Sequence, residues 1–308
     1  QSNLKITHLH GDFQTYSLDA SGDFSFAKPF PLFIQADLTE NNNSTVHAKM
    51  EGTIENYQLT AAANINNPSA PPFTAQLLSN GNLTHLNVNK LTTQILDNTL
   101  IVTGKIDWEK RLQIDTEFSA RDFNPQTIVA GLPGKILLTG KASLVDQTLN
   151  TQINATGELR DAPLKLKTEL SLHDNVADIH SAKISLGSNT ATLKGHLSPI
   201  HAEDIIYHID ASDLSSLYPD LSGKIFASGN LNGKWKQLRI KSKLEGELIS
   251  YQNYHARALE LNLLPSAKSD EYTLDFQARN ISSGEQSIEL FSIHGKGNQR
   301  KHDFHFDL

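Results

Sequence analysis

Apolar and polar residues alternate with a period of two along almost the entire sequence, and this pattern constrains the fold more than any other feature. In residues 111–121 the odd positions are charged or polar, and the even positions are Leu112, Ile114, Thr116, Phe118 and Ala120. Residues 164–173 and 271–279 show the same alternation. Successive side chains of a β-strand point to opposite faces of a sheet, so the pattern predicts strands with one apolar and one solvated face. We predict an all-β protein.

Helical patterning is limited to two short segments that lie between groups of strands. One helix is predicted after Asn124, which can cap its N-terminus, with Pro125 as the first helical residue and an end near residues 131–133. The other is predicted from about Ser212 to Tyr218, where Pro219 stops it. The predicted fold is therefore a sheet interrupted by few short helices.

An internal repeat organises the chain. Residues 99–123 align without a gap with residues 190–214, and the second marker, GKILLTG at 134–140, recurs as GKIFASG at 223–229. The two copies are thus offset by 91 and then 89 residues. We predict an N-terminal β-repeat segment (1–98), a β-repeat unit (99–189) and a β-repeat unit with C-terminal strands (190–308), joined in one continuous elongated sheet.

Glycine recurs on the apolar face of these strands, in the pattern apolar-any-apolar-any-Gly-any-apolar. The pattern is found at Gly22, Gly52, Gly104, Gly140, Gly157, Gly195, Gly229 and Gly246. A glycine inside a strand marks a bulge, a sharp bend or the close approach of another group. Strands bent near their middle would curl the sheet into a U-shaped trough with its apolar face inside; core glycines of an ordinary β-sandwich are the alternative. The predicted groove-bend glycines occupy matched places in the two copies: Gly104, Gly140, Gly195 and Gly229.

Apolar residues on the same face as these glycines are the predicted lining of a hydrophobic groove. They are Leu100, Val102, Ile106, Leu112, Ile114, Phe118, Ile136, Leu138, Leu164, Leu166, Leu170, Leu172, Leu193, Leu197, Ile205, Tyr207, Ile209, Leu231, Ile240, Leu244, Leu248, Leu274 and Phe276. Such a groove suits acyl chains, because each buried methylene contributes about 0.8 kcal/mol while headgroups stay in water. No catalytic residue and no cofactor is predicted.

Composition and motifs argue against several other classes of protein. The net charge of −7 disfavours nucleic-acid binding, and the lack of Cys excludes disulfides, thiolate metal sites and Cys nucleophiles. No run of 18 apolar residues is present, so we expect a soluble piece of a longer chain with any membrane anchor outside it. The sequence has no G-x-S-x-G, H-E-x-x-H or P-loop motif, and no enzymatic activity is predicted.

Three further groups of residues have both a structural and a functional interpretation. His8 and His10 share a strand face, but no third metal ligand is close in sequence, so no metal site is predicted. Trp108 and Trp235 stand at strand ends, where structural packing is favoured over a role in covering a groove rim. Basic residues in the C-terminal third are interpreted as solvated strand faces, with headgroup contact as the alternative. They are Lys234, Lys236, Arg239, Lys241, Lys243, Lys296, Arg300 and Lys301.

Several stretches give the chain a resemblance to a known family. They are TGKIDWEKRLQIDTEF (103–118), LSSLYPDLSGKIFASGNLNGKW (214–235), LEGELISYQNYHARALELNL (244–263) and SIHGKGNQRKHDFHFDL (292–308). They resemble the repetitive middle periplasmic region of the TamB family, within the AsmA-like or bridge-like lipid transfer proteins. The resemblance covers most of the chain, more clearly after Thr99 than before it. It implies a curved sheet with an apolar concave interior, a β-taco, in proteins that carry phospholipid between two membranes.

The resemblance also implies a cellular setting. It suggests the periplasm of a Gram-negative bacterium, a parent chain anchored in the inner membrane, and a contribution to outer-membrane biogenesis. The implied partners are phospholipids and an outer-membrane barrel protein like TamA, contacted through parts of the parent chain that this sequence lacks.

Three functions are compatible with these observations. The leading hypothesis is a periplasmic conduit segment that carries phospholipid acyl chains in its apolar groove. The alternative is a scaffold or chaperone that assists assembly of outer-membrane proteins, such as autotransporters, by adding their strands to its sheet edges. A third hypothesis is an adhesin-like repeat protein with a dry core. Phospholipid bound to the purified protein would distinguish the conduit from the other two.

Overall fold

The computed structural model describes residues 3–40, 44–67, 71–129, 131–266, 271–298 and 301–308. In this part of the chain, 21 strands belong to one antiparallel sheet, and the helices are three single turns of 3-10 helix. The prediction of an all-β fold with few short helices is confirmed. The chain divides into two compact units, residues 1–151 and 152–308. Across the described ranges, no helix has the length and apolar character needed to cross a membrane.

The first unit contains ten strands, each pairing antiparallel with the next in the chain. They are β1 (Asn3–Phe13), β2 (Tyr16–Ser25), β3 (Pro31–Glu40), β4 (Thr45–Thr53), β5 (Asn56–Ile65), β6 (Phe73–Gly81), β7 (His85–Ile95), β8 (Asn98–Asp107), β9 (Gln113–Phe123) and β10 (Gly134–Val145). Among the described residues of this unit, β1 pairs with β2 alone, so it is an edge strand. The next strand, β11 (Thr148–Leu159), contains the division between the units.

The second unit continues with ten strands, again paired in chain order. They are β12 (Ala162–His173), β13 (Val176–Leu186), β14 (Asn189–Leu197), β15 (His201–Ala211), β16 (Leu221–Lys234), β17 (Arg239–Tyr251), β18 (Tyr254–Pro265), β19 (Tyr272–Ser283), β20 (Gln286–Gly297) and β21 (His302–Asp307). Within the residues described for this unit, β21 pairs with β20 alone and is also an edge strand.

Strand register separates apolar from polar residues, as the alternation predicted. Val102 of β8 pairs with Leu91 of β7 and Phe118 of β9, whereas the adjacent Thr103 pairs with Glu117. Cross-strand partners lie on the same side of a sheet, so each such pairing extends one face. Each unit therefore has one face made of apolar side chains, here called its apolar face, and an opposite polar face.

The three 3-10 helices are η1 (Pro125–Thr127), η2 (Leu214–Ser216) and η3 (Trp235–Gln237). The positions predicted for η1 and η2 are confirmed, and the Asn124 side chain caps η1 by accepting a hydrogen bond from the Gln126 N–H. Both helices are shorter than predicted. Asp213 is extended and caps η2 with its side chain, so this helix cannot begin at Ser212. No helix was predicted at η3.

A buried asparagine at the start of β8 and of β14 fixes each predicted helix. The Asn98 amide donates to Thr127 Oγ1 (2.6 Å), and its Oδ1 accepts from the Asn124 N–H (2.8 Å). In the second unit, Asn189 makes the same pair of bonds, to Ser216 Oγ (2.6 Å) and from the Asp213 N–H (2.9 Å). Identical side-chain chemistry at these positions supports the internal repeat. The predicted segments begin at residues 99 and 190, one residue after the starts of β8 and β14, whereas the compact units divide after residue 151.

Candidate apolar binding face

The apolar face of the first unit consists of cross-strand rows that extend over all ten strands. One row is Leu9, Ala20, Ala36, Ala48, Ala61, Leu77, Leu91, Val102, Phe118 and Gly140. The neighbouring row is Gly11, Leu18, Leu38, Val46, Ala63, Ala75, Thr93, Leu100, Ala120 and Leu138. Each residue is the register partner of the next, so small and apolar side chains succeed one another from β1 to β10.

The second unit has an equivalent face. One row is Leu166, Ile184, Ala191, Ile209, Ala227, Leu244, Leu261, Phe276, Ile293 and Phe306. The row beside it is Thr168, Ala182, Leu193, Tyr207, Gly229, Ser242, Leu263, Leu274, Gly295 and Phe304. Apolar side chains thus extend from β12 to the edge strand β21.

Most of the predicted lining residues meet apolar or small partners within their own unit. Outside the rows above, these pairings are Ile106 with Ile114, Ile136 with Phe123, Leu164 with Leu186, Leu170 with Ile179, Leu172 with Ala177, Leu197 with Ala202, and Leu231 with Ile205 and Ile240. The same faces also carry leucines that were not among the predicted lining residues: Leu18, Leu38, Leu77, Leu91, Leu261 and Leu263. The period-two alternation continues through these residues and was the signal that could have identified them.

The apolar faces are incompletely covered. Among the predicted lining residues Ile136, Leu164 and Ile205 are buried, most others are half-buried, and Ile209 remains 37% exposed. A β-sandwich buries its inner face against a second sheet to form a core. A face that stays accessible along many consecutive strands is instead typical of an open groove, and extended exposed apolar surface marks a binding site.

Four strands contain a kink that interrupts the alternation. In each, a small residue of the apolar face is followed by a charged residue, a residue with left-handed backbone and a large apolar residue: residues 120–123, 202–205, 246–249 and 278–281. The left-handed residues, with φ between 48° and 53°, are Asp122, Asp204, Leu248 and Asn280. The kink advances the alternation by one residue, so that positions three apart share a face.

The structure departs from two predicted lining positions, one at a kink and one just before a strand begins. Leu248 is 67% exposed, and Ile249 takes its place on the apolar face, where its side chain lies 3.3 Å from the position of a Cβ atom on Gly246. Ile249 pairs with Ala256, which pairs with Ile281. Leu112 also departs from the prediction, since it precedes the first residue of β9 and is 53% exposed.

The glycines of the apolar face are explained by close approach of the adjacent strand. A Cβ atom on Gly104 would lie 2.9 Å from Thr116 Cα, and one on Gly195 would lie 2.7 Å from Ile205 Cα. Gly229 faces the ring of its partner Tyr207, and Gly140 pairs with Phe118. The group that approaches these glycines is therefore the neighbouring strand itself, which the sequence left undetermined.

The polar faces carry cross-strand pairs of histidine and aspartate. In the first unit, Nδ1 of His10 lies 2.9 Å from Asp19, and His47 pairs with Asp37. In the second unit, Nδ1 of His294 lies 2.8 Å from Asp275. Hydrogen bonds to Asp19 and Asp12 raise the pKa of His10. These side chains are largely exposed, so they are solvated pairs and contribute little to stability.

Lysines of the polar faces pair with carboxylates, either across strands or along one strand. Lys141 Nζ lies 2.6 Å from Glu117, and hydrogen bonding to this carboxylate raises the pKa of Lys141. Lys243, from the predicted basic stretch, pairs with Glu245, which raises its pKa. Arg239 donates to the Ser266 carbonyl (2.8 Å). Arg300 and the side chain of Lys236 lie outside the described residues.

Ser171, His180 and Asp178 come together on the polar face, although their sequence spacing did not indicate it. Ser171 Oγ lies 3.2 Å from His180 Nε2, but His180 Nδ1 is 3.7 Å from Asp178, beyond hydrogen-bonding distance. Asp178 instead lies 3.3 Å from His196, and the histidines are exposed. A catalytic triad requires the base to be oriented by its acid, so this group has the geometry of a surface hydrogen-bond network.

The two tryptophans fasten strand ends to neighbouring turns. Trp108 Nε1 donates to the Leu83 carbonyl (2.6 Å), and Trp235 Nε1 donates to the Ser198 carbonyl (2.9 Å). Each indole thus bonds to the turn that precedes the adjacent strand, β7 for Trp108 and β15 for Trp235. These bonds agree with the structural interpretation of both residues.

Taken together, repeated antiparallel strands that give each unit a continuous, incompletely covered apolar face define a class of repetitive β-sheet protein with extended apolar surfaces. A family profile described as "TamB, N-terminal domain" matches residues 34–308, and the chain belongs to the TamB family. The family assignment made from the sequence is confirmed. The matching profile is that of the N-terminal domain, whereas the resemblance was to the repetitive middle region.

One relative is the "Translocation and assembly module subunit TamB" of Haemophilus influenzae (strain ATCC 51907 / DSM 11121 / KW20 / Rd). It is 25% identical over 270 residues, which cover 85% of this chain and 20% of the relative. This chain therefore spans about a fifth of the length of that relative.

Proposed function

We propose that this chain is a lipid-binding segment of a TamB-type protein, in which phospholipid acyl chains lie on the apolar face while headgroups remain in water. The observation that carries the proposal is the continuity of each apolar face across consecutive strands together with its incomplete burial. A repeat protein with a dry core would bury the same side chains.

The energetics favour an acyl chain as the occupant. Half-buried Leu, Ile and Val side chains leave apolar surface in water, and covering it contributes about 25 cal/mol per Å². Neighbouring strands present similar apolar rows at a spacing of about 4.8 Å. An acyl chain that moves by one strand therefore exchanges one set of contacts for an equivalent set. Its binding free energy then has no deep minimum along the sheet.

The family relationship suggests where this binding takes place. The named relative is a subunit of a translocation and assembly module, and we infer that this chain serves such a module in the periplasm of a Gram-negative bacterium. There it would carry phospholipid between the inner and outer membranes and so contribute to outer-membrane biogenesis. Other parts of the parent protein would contact an outer-membrane barrel partner like TamA. The function needs no cofactor and no catalytic step.

The test uses two isoleucines of strand β15 that lie on opposite faces. Ile209 belongs to the apolar face and pairs with Ala227, whereas Ile206 lies on the polar face and pairs with Asn230. They are 37% and 46% exposed, so an aspartate at either position can remain hydrated. Ile209→Asp should reduce the phospholipid that native mass spectrometry detects on the purified protein, and Ile206→Asp should not. Equal lipid content in both variants, or no lipid on the unmodified protein, would refute the proposal.

The alternative function, capture of unfolded outer-membrane protein strands, would use a strand edge such as that of β1. All eleven residues of β1 are exposed, and its outer edge offers backbone N–H and C=O groups for pairing. Proline in β1, at positions whose N–H groups point away from β2, would remove donors from this edge. If capture is the function, these prolines should abolish crosslinking to an unfolded barrel protein while Ile209→Asp leaves it intact. If lipid binding is the function, Ile209→Asp should lower the lipid content and the prolines should leave it unchanged.

A further inference from the structure

Three side chains that can bind a metal ion converge on the polar face at the edge of the first unit. His8 and His10 belong to β1, and Asp19 belongs to β2. One ligand atom of each lies within 4.8 Å of the others, the only such trio found in the described ranges. His10 Nδ1 is 2.9 Å from Asp19 Oδ1, and His8 Nε2 is 3.7 Å from the same oxygen. The two imidazole rings are nearly parallel, with 10° between their planes.

The fold supplies the ligand that the sequence lacked. His8 and His10 are two residues apart and therefore share a strand face. Asp19 is the register partner of His10, so antiparallel pairing of β1 with β2 brings the carboxylate close to a nitrogen of each ring. The spacing of His8 and His10 alone offered two ligands, and the register of β1 with β2 places a third beside them.

We propose that His8, His10 and Asp19 bind one divalent first-row transition metal ion of the Zn²⁺, Ni²⁺ or Cu²⁺ type. Zn–N bonds of about 2.0–2.1 Å in a tetrahedral site place ligand atoms about 3.3 Å apart. The separations of 2.9 and 3.7 Å lie on either side of this value. Two imidazoles and one carboxylate suit these ions, whereas Ca²⁺ and Mg²⁺ prefer oxygen ligands alone.

Asp12 is not one of the three proposed metal ligands, but it contacts one of them, His10. Its Oδ2 lies 3.2 Å from His10 Nε2, the ring nitrogen on the far side from Asp19. When Nδ1 of His10 binds a metal ion, the ring proton is on Nε2 and is donated to Asp12. A carboxylate in this position fixes the tautomer and ring orientation of a metal-binding histidine. Asp37 and His47, from β3 and β4, also lie on this face, since Asp37 is the register partner of both Asp19 and His47.

The neighbouring pair of His47 and Asp37 provides a matched control. It has the same cross-strand geometry, and both side chains are exposed, but it lacks a second histidine. If single His–Asp pairs of the sheet bound metal, both sites would bind equally. A bound ion at His8, His10 and Asp19 would also join the edge strand β1 to β2, and so slow the opening of this edge.

Isothermal titration of the untagged 308-residue chain with ZnCl₂ tests the proposal, and Co²⁺ absorption reports the coordination geometry. We expect one saturable site per chain. His8→Gln, His10→Gln and Asp19→Asn should each weaken Zn²⁺ binding more than about tenfold. Asp12→Asn should weaken it about 10–100-fold, and His47→Gln should leave it unchanged. Hydrogen exchange of the β1 amides should slow when Zn²⁺ is added to the unmodified chain.

Several results would overturn the proposal. Absence of a saturable site would do so, as would equal affinity of His8→Gln and the unmodified chain. An effect of His47→Gln as large as that of His8→Gln would show that the histidines of the polar face bind metal indiscriminately. Circular dichroism of each variant establishes that the sheet is intact, and since the histidines and Asp12 are exposed and Asp19 is only half-buried, unfolding by these substitutions is unexpected.

Discussion

Tyr207 and Gly229 are cross-strand partners on the apolar face of the second unit, and the Tyr207 hydroxyl lies 2.7 Å from the position that a Cβ atom on residue 229 would occupy. The hydroxyl is held there by Ser242 Oγ at 2.6 Å. Tyr57 covers Gly81 in the first unit, at 2.9 Å. Glycine in these strands thus leaves room for an aromatic ring from the next strand, an arrangement that stabilises sheets containing glycine.

A side chain at Gly229 should therefore destabilise the protein. Gly229→Val would push Tyr207 and the backbone of β17 away, and overpacking of this kind costs about 1–3 kcal/mol. Gly11 is the matched control, because it also lies on an apolar face but has nothing within 4 Å of its Cβ position. Urea denaturation should show a lower midpoint for Gly229→Val and little change for Gly11→Val. Equal midpoints would mean that the ring does not require the glycine.

Removal of the buried Asn189 side chain should destabilise the second unit. Asn189→Ala removes the bonds to Asp213 and Ser216 and leaves their backbone and hydroxyl groups without those partners. Buried polar groups left in this state cost about 1–3 kcal/mol. The free energy of unfolding from urea titration measures the loss, and the exposed Asn230→Ala serves as the control. If Asn189→Ala lowers the free energy of unfolding no more than Asn230→Ala does, the hydrogen bonds of Asn189 are not needed for stability.

Tyr57 reports the environment of the apolar face. Burial raises its pKa above the usual value of about 10. Because the folded-state pKa is raised, the neutral phenol contributes stability that is fully present below about pH 10 and is lost as the pH rises through the folded-state pKa. Subtracting the tyrosinate absorbance titration of Tyr57→Phe from that of the unmodified protein should give a midpoint above 10. Loading with phospholipid should raise it further, and a midpoint at or below 10 would contradict burial of this residue.

The sequence predicted the fold far better than the site. Alternation identifies strands and faces because both depend only on local spacing, as in Val102 beside Thr103. The third ligand Asp19 and the Tyr207–Gly229 contact depend on register, which is set by which residues two strands place opposite each other. The kinks escaped prediction because one left-handed residue reverses the alternation after it. At Leu248 the residue type itself gave no sign, since leucine rarely adopts this conformation.

Leu248 is consequently a residue whose substitution should increase the stability of this fold. Three of the four kinks have Asp or Asn at the left-handed position, and these residues tolerate that backbone conformation, whereas leucine is disfavoured there by about 1–2 kcal/mol. Leu248→Asn should raise the free energy of unfolding in urea by up to about 1 kcal/mol and leave bound phospholipid unchanged, because the side chain is solvent-exposed. Asn280→Leu should lower stability by a similar amount, which makes it the reciprocal control. Ile249→Asp, one residue away on the apolar face, should instead reduce bound lipid. If Leu248→Asn lowered both stability and lipid content, Leu248 and not Ile249 would belong to the apolar face, and the kink would be absent in solution.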